Sequence, residues 1–310
     1  MTTPALPAEN SSYIRRDLTV SMTDGTRLHG CRFDLHRGHQ KARRGAHPVN
    51  NTPLLCIPSE LYSLDQYEKL IEALAKTDCP PSRIYSVSLR GRGQSEMGRN
   101  ADTTTVDDAQ DIIDFCDANS LHDIDVLVSG RAVFAVILTA PKRPTLFRRL
   151  VLNDAAPEFD NVGIARLATA AKRMPMPKSW DEASQLLQQL NGEAFPIFTD
   201  EDWNEQARLH WADKDGTPAL GHHKNLIRLS NADDYDIRQP VLWDVFKLFR
   251  THRCLLVRGE HSELVTPEIE QTLVKFLEDG ETVTAMGQGH CPALHQDDLP
   301  HTIAAFLAAD

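Results

Sequence analysis

Pro53-Leu-Leu-Cys-Ile57 is a continuous apolar run closed by Pro58, and from Leu61 to Ala75 apolar residues return at helical spacing, at Leu61, Leu64, Tyr67, Leu70, Ile71 and Leu74. A short run without polar alternation is a strand covered on both faces, and a helix directly after it is the repeating unit of a parallel sheet. Toward the C-terminus the pair recurs: Ile84 to Leu89 reads as strand, Val106 to Ala118 as helix, and Ile124 to Val128 as strand. Ala132 to Ala140 then reads as a packed helix and Leu150 to Leu152 as a further strand. Toward the N-terminus, Leu18 to Met22 and Leu28 to Phe33 alternate apolar and polar residues around Asp24-Gly25, which predicts a β-hairpin. The succession makes the fold α/β.

Between Pro157 and about Leu248 the alternation stops, and polar text with prolines at 175, 177, 196, 218 and 240 carries helical stretches at Trp180 to Leu190 and Asp202 to Trp211. An inserted helical lid over 157–248 is expected, between a first core part at 13–156 and a second at 249–310. The sheet pattern resumes with Cys254 to Val257, a helix from Pro267 to Glu278, a strand at Thr282 to Met286 and a helix from Leu299 to Ala308.

With 41% hydrophobic and 25% charged residues in 310, the chain is ordinary for a globular protein and supports a large core, which excludes disordered and fibrous classes. No apolar run approaches the ~20 residues that cross a bilayer. Residues 1–12 lack the apolar stretch of a signal peptide and read as a flexible tail. Cys31, Cys56, Cys79, Cys116, Cys254 and Cys291 form no CxxC pair, so reduced thiols, a cytoplasmic location and no metal or other cofactor are expected. A net charge of −11 opposes nucleic-acid binding. The basic stretch from His36 to Thr52 departs from that balance and reads as a solvated loop.

Five segments carry a resemblance: Leu54-Leu-Cys-Ile-Pro-Ser59, Leu89-Arg-Gly-Arg-Gly-Gln-Ser95, Leu150-Val-Leu-Asn-Asp154, Val257-Arg-Gly-Glu-His-Ser-Glu263 and Gly287-Gln-Gly-His290. In order and spacing they resemble the α/β-hydrolase superfamily, and most nearly its small bacterial, lidded serine hydrolases that cut esters and lactones. The resemblance implies a mostly parallel sheet flanked by helices. It also implies a catalytic acid at Glu263 and a catalytic histidine at His290, the acid holding the imidazole in one tautomer so that the other nitrogen moves a proton.

The nucleophile position is degenerate. A Gly-x-Ser-x-Gly elbow places serine on a strained turn between strand and helix; here the text is Leu127-Val-Ser-Gly-Arg-Ala-Val-Phe134. Matching the family glycine to Gly130 puts Ala132 at the nucleophile; a gapless strand match puts Arg131 there, and counting back from Asn153 favours Gly130. None of these can attack a carbonyl. Ser129, the nearby hydroxyl, would have Leu127 and Arg131 where the turn needs small residues, and Phe134 is bulky where a small residue is expected. In the oxyanion segment Pro58-Ser59-Glu60, an inward Glu60 carboxylate opposes the charge formed in acyl transfer. Ser88 stands where relatives carry aspartate, although Arg90, Gly91 and Gly93 remain.

The reading that follows is a hydrolase relative without seryl chemistry that binds a small molecule or a protein partner. Two alternatives stand beside it. One is an esterase or lactonase whose serine is replaced by Ala132; the other is a nucleophile-free enzyme using Glu263 and His290 as a general base.

Overall fold

A computed structural model describes residues 12–35, 51–98, 103–223, 226 and 241–309, the side chains of 172 and 173 excepted. Most of the expected tail, most of the basic stretch and part of the expected lid lie outside these residues. The strands are β1 (Tyr13–Ser21), β2 (Arg27–Leu35), β3 (Leu54–Ile57), β4 (Arg83–Val87), β5 (Ile124–Ser129), β6 (Phe147–Asn153), β7 (Trp211–Lys214), β8 (Thr217–Leu220), β9 (Arg253–Gly259) and β10 (Asp279–Ala285). The helices are α1 (Glu68–Leu74), α2 (Thr105–Ala118), α3 (Val133–Thr139), α4 (Asn161–Arg173), α5 (Trp180–Asn191), α6 (Asp200–His210), α7 (Trp243–Phe246), α8 (Pro267–Phe276) and α9 (Leu299–Ala308).

Eight strands form one sheet in the order β1-β2-β4-β3-β5-β6-β9-β10. The β1–β2 hairpin joins antiparallel, and from β4 to β10 in that order the strands run parallel. Along each buried strand successive side chains alternate between faces. Leu55, Ile57, Val126, Val128, Leu150 and Leu152 pack under α2, α3 and α8, whereas Leu54, Cys56, Leu127, Val151 and Leu255 pack under α1 and α9. This two-sided burial is what the unbroken apolar runs encode.

The register aligns Ile57 with Val128, Ser129 with Asn153, and Asn153 with Val257, so the carboxyl ends of β3, β5, β6 and β9 lie side by side. Sites in open α/β sheets gather at this edge, in the crevice beyond the carboxyl ends of the strands. The turn after β4 braces it: Arg90 makes a buried two-pronged pair with Asp111 at 2.7 and 2.5 Å, and Arg92 does the same with Asp108. Arg92 Nε also donates to the Glu60 carbonyl at 2.8 Å, tying that turn to the loop after β3. Gly91 and Gly93 have φ of +76° and +53°, a backbone shape that favours glycine, so this motif serves architecture.

Two local expectations change. The helix expected from Leu61 begins as a 3-10 turn at Leu64–Tyr67 before α1, with Ser63 capping it. The inserted segment is helical in α4 to α6 but also holds the β7–β8 hairpin, whose residues are mostly exposed. Ala183, Leu187, Phe195, Trp203, Ala207 and Trp211 give this segment a small core of its own.

Candidate active site

Strand β5 ends at Ser129, and the chain turns sharply at Gly130, whose φ is +53°, before the 3-10 turn Gly130–Ala132 leads into α3. The apex of the strand-to-helix turn is therefore Gly130. A Cβ built on it would lie 3.2 Å from His290 Nε2, 3.1 Å from His290 Cε1 and 2.9 Å from Ser59 Oγ. A side chain at 130 would enter the space in front of the imidazole, which is the position a seryl nucleophile needs.

Ala132, the first match for the nucleophile, lies two residues further on, in the core cluster with Val133 and Phe134 and not among the residues lining the cavity. Arg131 lines the cavity instead and pairs through Nη1 with Glu60 Oε1 at 3.1 Å. Ser129 is fully buried below the turn; its Oγ bonds Tyr67 Oη at 2.8 Å and accepts from Asn153 Nδ2 at 2.9 Å. Phe134 is buried in α3 and stacks edge-on with Phe159 at 5.4 Å.

His290 follows β10 and lines the same cavity, as expected, but its partner is not Glu263. Nδ1 lies 2.7 Å from Asp154 Oδ2, at the carboxyl end of β6. Asp154 is fully buried with φ +47°, and it also accepts from Gly259 N at 3.1 Å and from Ser262 Oγ at 2.6 Å. Those contacts fix both carboxylate oxygens, so Nδ1 keeps its proton and Nε2 faces the Gly130 turn. Glu263 is exposed and pairs with Arg166 at 2.5 Å. The reason is local: the loop after β9 sends Ser262 to the site, and the next side chain turns out toward α4. The signal for Asp154 was present in the sequence, as an acid ending the strand between β5 and β9.

Burial opposes protonation of His290, but the Asp154 carboxylate bonded to Nδ1 outweighs it and holds the imidazole above its ordinary pKa. Cys291, which no sequence motif singles out, places Sγ 3.3 Å from Nε2 and 3.5 Å from Nδ1. Near-equal distances to both nitrogens put the sulfur over the ring face, off the in-plane lone pair that would take its proton. Burial also pushes the Cys291 thiol up, which disfavours the thiolate.

Glu60 lines the cavity beside these groups. Burial opposes its charge, yet Arg131 and His290 more than compensate and hold it below the usual carboxylate range. A carboxylate, paired with Arg131, thus lines the cavity together with His290. The cavity, about 250 Å³, is polar at this end and apolar where Ile164, Leu187, Phe195 and Trp203 of the inserted segment close it.

No known protein-family profile matches the chain. The curated relatives it resembles include Ethanol acetyltransferase 1 of Wickerhamomyces anomalus, 25% identical over 125 residues, which are 40% of this chain and 31% of that protein. Ethanol acetyltransferase 1 of Wickerhamomyces ciferrii is 26% identical over 125 residues, 40% of this chain and 31% of that protein. The chain thus matches about a third of the length of these relatives. Among solved structures, an alpha/beta hydrolase from Novosphingobium aromaticivorans superposes with a TM-score of 0.79 at 20% identity, covering 96% of this chain and 99% of that one. An esterase from Exiguobacterium antarcticum gives 0.66 at 13% identity, covering 94% and 99%. At such identities the likeness establishes architecture, and function rests on the site residues. Sheet order, crossovers and superposition agree: the chain has the α/β-hydrolase fold.

Proposed function

We propose that this protein binds a small molecule with an apolar body and a polar head in the cavity between the sheet edge and the inserted segment, and that it does so without seryl acyl-enzyme chemistry. One observation carries the reading: the apex of the turn facing His290 is Gly130, which has no side chain to attack a carbonyl. The charged Glu60 beside it points the same way, because acyl transfer needs hydrogen-bond donors there. The burial of Ala132 in the core argues against reading it as a lost serine. The free state of all six cysteines fits a cytoplasmic protein.

Intact-mass measurement after treatment with a fluorophosphonate tests the reading. The parent protein is expected to stay unmodified, and an adduct on any cavity residue would overturn it.

A second reading is favoured by the intact Asp154–His290 pair. In its neutral form His290 presents Nε2 to the open space at Gly130, with the geometry of a general base toward a water or a ligand hydroxyl. Acid–base action of this kind supplies roughly 10²–10⁴-fold. It would appear as turnover that His290→Gln abolishes and that Gly130→Ala, which fills the open space, also suppresses.

A further inference from the structure

Away from the cavity, the edge hairpin brings together three side chains of different ligand type. Asp17 of β1 sits directly opposite Cys31 of β2, and His29, two residues before Cys31, shares its face of the strand. Cys31 Sγ lies 3.0 Å from Asp17 Oδ1, and His29 Nε2 lies 3.5 Å from that same oxygen. One donor atom from each residue falls within 4.8 Å of the other two. From Zn–S of about 2.3 Å and Zn–N or Zn–O of about 2.0–2.1 Å, tetrahedral ligand atoms stand roughly 3.3–3.6 Å apart. The hairpin therefore comes near ligand spacing before any metal arrives.

We propose that Asp17, His29 and Cys31 form a binding site for a borderline transition-metal ion of the zinc or cobalt(II) type, clipping edge strand β1 to β2. Thiolate, imidazole and carboxylate together suit zinc and cobalt, whereas magnesium and calcium take oxygen ligands. Three protein ligands leave one position of the tetrahedron to water. Asp17 is two-thirds exposed, with a side-chain exposure of 67%, which gives the ion a route from solvent. Binding exchanges the thiol proton for the metal: the S–H bond breaks, the proton passes to solvent, and the sulfur pair becomes the metal–sulfur bond. Because binding releases that proton, affinity should rise with pH.

The plainer interpretation is a thiol donating to a carboxylate beside a surface ion pair, since Arg15 Nη2 lies 3.3 Å from Asp17 Oδ1. Arg15 also pairs with Glu68, so it keeps a partner when a metal takes Asp17. The sequence concealed the set because its members follow strand pairing rather than a CxxC or Cys/His loop spacing.

Cobalt(II) titration of the full chain, first stripped with EDTA, separates the two. The proposal expects a thiolate-to-cobalt charge-transfer band in the near ultraviolet and tetrahedral d–d bands, saturating at one ion per chain. Asp17→Asn, at an exposed position that does not threaten folding, and His29→Gln should each weaken binding about tenfold or more, while Cys79→Ser leaves it unchanged. Absence of the charge-transfer band at millimolar cobalt overturns the proposal, and so does a band that Asp17→Asn and His29→Gln leave unaltered.

Discussion

A serine at 130 would have to accept φ near +53°, which costs a non-glycine residue of order 1–3 kcal/mol. It would also have to displace Ser59 Oγ, now 2.9 Å from the new Cβ. Rotation of the Ser59 hydroxyl relieves that contact, so Gly130→Ser should fold and should gain a fluorophosphonate adduct that the parent lacks. Hydrolysis of short activated esters by the variant should be slow, because Glu60 remains charged; adding Glu60→Gln is expected to raise the rate by about tenfold or more. Ala132→Ser should stay inert to the probe, and an adduct there would show that the apex is misassigned. Asp154 sets a second expectation at this scale. The folded pKa of His290 lies above its unfolded value of about 6.5, so the pair's stabilisation is complete below that pH and is lost as pH rises through the folded value. The melting-temperature advantage of the parent over Asp154→Asn should therefore be greatest on the acid side of pH 6.5 and shrink above it. His290 was legible from its place after a strand. Glu263 misled because one residue decides which side chain of a loop faces the site, and spacing alone does not resolve one residue.

At the scale of elements, the parallel strands were legible because burial on both faces leaves no polar alternation, as in Leu54–Ile57 and Ile124–Ser129, where every residue is buried. The β7–β8 hairpin was not legible, since Trp211–Lys214 buries only its first residue and so carries no apolar period. The elbow fell between these cases: the end of β5 is a matter of register, and Ser129 opposite Asn153 fixes it. Helix α6 yields a prediction of its own. It ends at His210, which stacks edge-on with Tyr62 of the loop after β3 at 5.9 Å, so it joins the inserted segment to the core. Burial, helped by His222, pulls His210 down to about 4. The folded state thus refuses a proton that the unfolded chain binds below about 6.5, and stability should fall as pH drops from there toward 4. His210→Phe keeps an aromatic ring and removes the titration. Thermal melts between those pH values should show a flatter profile for the variant, and equal slopes would remove His210 as the cause.

For the whole molecule, the relevant division is between cores. The two clusters that sandwich the sheet share its strands, whereas the cluster around Trp203 belongs to the inserted segment alone. Trp203 is 3% exposed, packs against Phe198 at 5.2 Å and Phe195 at 6.2 Å, and also lines the cavity. Truncating a buried tryptophan to alanine costs about 3–5 kcal/mol, and where that cost falls depends on how tightly the segment is coupled to the sheet. Because the indole packs among α5, α6 and the connection between them, Trp203→Ala should lower the free energy of opening that segment while leaving the sheet's global unfolding nearly unchanged. Amide hydrogen exchange reads this directly: protection should fall across Trp180–Asn191 and Asp200–His210 and persist in β3, β5 and β6. Ligand binding in the cavity should weaken in parallel, since a wall that opens more often holds its occupant for less time. A uniform loss of protection through the sheet would instead mean that the segment and the sheet unfold as one unit, and the cavity would then be a fixed part of the core rather than a space closed by a separable element.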